Sequence, residues 1–71
     1  MNDVILSKYD AIEHNLVELY ALIGKEMGEC FHDQDSDEYQ TLVKQLLEVK
    51  WLLGDVRKTL NYFAPELYPD F

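Results

Sequence analysis

Apolar residues mark out two long stripes along this chain. Over positions 39 to 63 they recur at Tyr39, Leu42, Leu46, Val49, Leu53, Val56, Leu60 and Phe63, with steps of 3, 4, 3, 4, 3, 4 and 3. A helix turning about 100° per residue gathers these side chains onto one narrow face, whereas a strand scatters them over two. The first half repeats the pattern at Ile5, Tyr9, Ile12, Leu16, Leu19 and Ile23, after which Glu26 breaks it. Met27, Cys30 and Phe31 carry an apolar face slightly further around. The pattern predicts two helices, one over about 3–28 and one over about 37–63.

The stretch between them, His32-Asp33-Gln34-Asp35-Ser36-Asp37-Glu38, is polar and rich in helix-capping residues. Asp35 with Glu38 three residues later forms the sequence of a capping box for the second helix. Asn2 or Asp3 caps the first, and Gly28 is a candidate for its C-terminal stop. Pro65 ends the second, because the residue before a proline is disfavoured in the helical region. The fold expected is all-α: an antiparallel, coiled-coil-like two-helix hairpin over 1–64, with an aromatic tail over 65–71. Pairing seam residues whose numbers total 65 sets Ile5 against Leu60, Ile12 against Leu53, Leu16 against Val49 and Leu19 against Leu46. Every rung is apolar, and the turn centres between His32 and Asp33.

A hairpin of 71 residues buries a modest core and usually needs a further source of stability. With the single cysteine Cys30 there is no internal disulfide. Apolar side chains also lie off the seam. Leu47 and Trp51 are one turn apart on the outer side of the second helix, and Val43 lies beside them. A second copy, the tail or a foreign partner must cover such a stripe. The expectation is a homodimer forming a four-helix bundle, with Val43, Leu47, Trp51, Tyr68 and Phe71 as candidate partner-binding residues.

Charge narrows the partners. Residues 1–38 hold ten acids and two lysines, for −8, while residues 39–71 hold four acids and four bases, for zero. The excess of acid disfavours direct binding to nucleic acid or an anionic membrane. No apolar run approaches the roughly 20 residues of a membrane span, and no basic leader opens the chain, which points to the cytoplasm.

The chemistry-bearing patterns are weak. Asp33-x-Asp35-x-Asp37 starts like a calcium loop, but Glu38 stands where the loop needs Gly and Lys44 where it needs a bidentate Glu. Cys30-x-His32 offers zinc two ligands and no second pair. No phosphate-binding Gly-rich loop, nucleophile elbow or His-Glu-x-x-His is present. No catalytic, cofactor-binding or metal-binding residue is therefore assigned, and no enzymatic activity is expected. The function expected is that of a small acidic interaction module, a regulator, adaptor, inhibitor or chaperone-like protein gripping another protein through a helical apolar surface. The alternative is a nucleic-acid mimic whose acidic half occupies a basic groove.

Overall fold

The computed structural model describes residues 3–69. Two helices pack against each other, α1 over Asp3–Glu29 and α2 over Asp37–Phe63, joined by a short 3-10 turn over Phe31–Asp33. The hairpin is elongated, 46 × 19 × 14 Å. Among the described residues there is no strand, and no helix is long and apolar enough to cross a membrane.

The turn is tied by local bonds. Both the Ser36 amide and the Ser36 hydroxyl donate to the Asp33 carbonyl, at 3.2 and 2.8 Å. Ser36 Oγ in turn accepts from the Tyr39 amide at 3.1 Å. Ser36, rather than Asp35, is thus the N-cap of α2, and a hydroxyl there satisfies one of the four amide donors that a helix start leaves open. Gln40 Nε2 adds a bond to the Gln34 carbonyl at 2.8 Å. Gly28 does not form a left-handed stop: α1 runs one residue past it, and no described glycine has a positive φ.

These bonds also set the register. Glu13 pairs with Arg57 and the Cys30 thiol faces Glu38; their numbers total 70 and 68 where the seam pattern alone suggested 65. The arms are displaced by about one helical turn. A slip of this size sets Tyr9 level with Leu60, Leu16 with Leu53 and Ile23 with Leu46, and brings Ile12 and Leu19 level with Arg57 and Lys50. Alternate rungs stay apolar in either register, and the turn chemistry selects one. The 3-10 segment lengthens the first arm, so the reversal falls near Gln34 and Asp35 instead of His32 and Asp33.

The buried core consists of Ile23, Val49, Leu53, Leu60 and Ala64, with Leu60 the most enclosed at 1% exposure. Ala64, beyond the predicted seam, is buried at the end of α2 where the tail turns back and the Leu67 and Tyr68 amides donate to its carbonyl. Ile5, Ile12 and Leu19 remain 49%, 45% and 43% exposed. They lie along the edge of the contact rather than inside it.

Candidate interaction surfaces

The sequence-derived site residues separate in space. Leu47 and Trp51 share the outer face of α2, 51% and 75% exposed. Lys44 and Lys58 flank them, at spacings that hold the same face of the helix, and both are exposed. Tyr62 extends that face. It is 79% exposed, and its ring meets the Phe63 ring edge-on at 4.9 Å. Seam reading overlooked Tyr62, although its spacing of eleven residues from Trp51 is the signal that places both on one face. Val43 is half-buried between this patch and the helix contact.

The tail folds toward α1, away from this patch. The Ala64 amide donates to the Leu60 carbonyl at 2.8 Å and closes α2; the Tyr68 amide then donates to the Ala64 carbonyl at 3.0 Å. Asn61 Nδ2 donates to the Tyr68 carbonyl at 2.7 Å, and the Tyr68 hydroxyl donates to an Asp10 carboxylate oxygen. That bond and burial push the Tyr68 phenol up to about 12. Tyr68 is thus held at Asn61, ten residues of helix and about 15 Å beyond Trp51, and the two do not form one surface. Phe71 lies outside the described residues.

Beside the tail, Glu13 accepts from Arg57 Nε and Nη2 at 3.2 and 3.1 Å. The Glu13 side chain is largely enclosed and Arg57 partly so, so this bridge is screened less than a surface pair. His14 Nδ1 lies 2.9 Å from the Asp10 carbonyl and 3.5 and 3.7 Å from the carboxylates of Asp10 and Glu13. The carbonyl bond, followed by the Asp10 charge, raises the His14 pKa above its ordinary value. Near the turn, Cys30 is pushed up by desolvation and by Glu38, which keeps it a thiol and a poor nucleophile. Among the described residues no group of three or more His, Cys, Asp or Glu is placed to hold a metal ion.

An open groove of about 330 Å³ lies between the helices, lined by Leu19, Ile23, Gln45, Glu48, Val49 and Leu52. Its floor is core and its rims are half-exposed leucines. The groove is shallow and apolar, and offers no converging acid, base or nucleophile. No protein-family model, no curated protein and no solved structure matches the chain.

Proposed function

We propose that this protein is an interaction module that works as a homodimeric four-helix bundle and grips another protein through the outer face of α2. The observation that carries the reading is Trp51, 75% exposed on a rigid helix where a simple hairpin has a charged residue. Trp dominates binding energy at many interfaces because it buries a large rigid surface at low entropic cost. Leu47 beside it enlarges the apolar centre, and Lys44 and Lys58 supply a cationic rim. The partner that fits is an apolar patch bordered by carboxylates.

The experiment is a pull-down from source-cell lysate at low and high salt, with wild type and Trp51→Ala. A partner retained at high salt by wild type and lost by the variant supports the reading. Unchanged capture by Trp51→Ala overturns it. The expected loss is about 2 kcal/mol or more of affinity, with an unchanged melt, since the indole is outside the core. The emission of Trp51 in the free protein should be that of a wet indole. The acidic-mimic reading is favoured by the charge of the first half, but Asp10 and Glu13 already have partners within the chain. Capture that disappears at high salt and survives Trp51→Ala would favour the mimic.

A further inference from the structure

We infer that a second copy of this chain covers the Leu19–Leu52 face, with the two α1 helices antiparallel so that Lys8 of one meets Glu26 of the other. This inference specifies the self-association on which the proposed bundle rests, and it leaves the Trp51 face free.

The face follows from spacing. Ile5, Lys8, Ile12, Asn15, Leu19, Leu22 and Glu26 recur at steps of 3 and 4, which makes a second heptad stripe along α1 beside the seam. Its apolar members are all exposed. Across the groove, α2 contributes Leu52, 46% exposed.

Area and shape identify the occupant. The exposed surface is 5514 Å², whereas a compact monomer of 8.4 kDa has about 4,600 Å². The excess, roughly 900 Å², matches the roughly 800 Å² that one partner contributes to a standard interface. The radius of gyration is 15.0 Å, against about 11 Å for a compact chain of this length and about 14.5 Å for one twice as long. Two hairpins laid face to face restore ordinary domain proportions. The tail cannot supply this cover, because Tyr68 is anchored at Asp10.

Charge selects the orientation. Parallel α1 helices set Lys8 against Lys8 and Glu26 against Glu26. An antiparallel pair with its two-fold axis at position 17 sets Lys8 against Glu26 twice, and Ile12 against Leu22 twice. The hairpin register places Leu52 opposite position 17, so Leu52 meets its own copy on the axis. Glu48 then faces Val56 of the other copy instead of another acid.

The test is charge reversal read by sedimentation equilibrium. Lys8→Glu and Glu26→Lys should each weaken the dimer about tenfold, and the double variant should restore it. The two positions are 18 residues apart on one helix, about 27 Å, so restoration can only act between copies. Both are exposed, so folding is kept. In a Cys30→Ser background, Leu52→Cys should form an inter-chain disulfide with oxidised glutathione, and Trp51→Cys should not. A monomeric wild type at tens of micromolar overturns the inference, as does a double variant no tighter than the singles, or cross-linking through position 51 but not 52. A heteromer that excludes self-association would assign the groove to a foreign helix instead. A monomeric wild type would also remove the homodimer from the proposed function, whereas the charge-reversal and cross-linking arms fail on this face alone, and none of them alters the Trp51 pull-down.

Discussion

At the residue scale, Tyr68 and Arg57 tie the open end of the hairpin to Asp10 and Glu13 of α1, and His14 lies beside them. Tyr68 binds Asp10 as a neutral phenol, and its folded pKa is raised to about 12. A raised pKa contributes stability that is complete below the ordinary phenol value near 10 and is lost as pH rises through the folded value. Melts recorded at increasing pH should therefore fall between about 10 and 12 in wild type more than in Tyr68→Phe. At neutral pH, Tyr68→Phe should cost about 0.5–1.5 kcal/mol, the usual worth of one hydrogen bond. His14 works in the same sense in a lower window. Its pKa is raised, so what it adds is full below about 6.5 and fades as pH rises through its folded value. His14→Gln should flatten that part of the pH–stability curve; an unchanged curve would mean that solvent screens the Asp10 contact at this exposed site. Little of this cluster was legible in the sequence. Asp10 and Glu13 read as members of a solvated helical face, because nothing in local spacing announces that Tyr68 or Arg57 returns to them across the hairpin.

At the scale of the elements, the helices follow from the spacing of their apolar residues, and the details follow from competition at their ends. The polar linker holds several residues able to cap α2. Asp35 with Glu38 has the familiar sequence pattern, yet Ser36 takes the cap because its hydroxyl bonds the Asp33 carbonyl and the Tyr39 amide together. Ser36→Ala should cost about 1 kcal/mol, whereas Asp35→Ala should cost less; equal losses would reject the assignment. Gly54 lies inside α2 with open space where a Cβ would stand. Gly54→Ala should stabilise by about 0.5–1 kcal/mol, read as a higher melting temperature, because alanine restricts the unfolded chain and meets no clash. The two-helix packing was readable from the stripes, but the register was not. In a seam of alternating steps of 3 and 4, every second rung still meets an apolar residue after a one-turn slip, so Tyr9 finds an apolar partner in either alignment. Only the bonds in the Asp33–Ser36 turn, and the Glu13–Arg57 pair, distinguish them. For the same reason Ile5, Ile12 and Leu19 read as core in the pattern and stand at the edge in the fold.

At the scale of the whole molecule, a thin hairpin 46 Å long is held at both of its ends. The Ser36 turn fixes one, and the Tyr68–Asp10 clip, spanning 58 residues, fixes the other. Leu60 and Ala64, the best-enclosed end of the core, lie under the clip. Two-helix hairpins ordinarily fray from the end away from the turn, where contacts are farthest apart in the chain and the entropy of reclosing is largest. Here the tail acts as a latch against that fraying, and it should leave a kinetic mark. In amide hydrogen exchange, wild-type protection at the start of α1 and the end of α2 should approach that of the middle of the hairpin. Removing the latch with Tyr68→Phe should speed exchange near Tyr9 and Leu60 while amides near Ile23 and Leu46 keep their rates. A uniform increase along both helices would show that the hairpin opens as one unit. Graded loss from the clipped end would show that the Tyr68 contact sets how often the hairpin unzips.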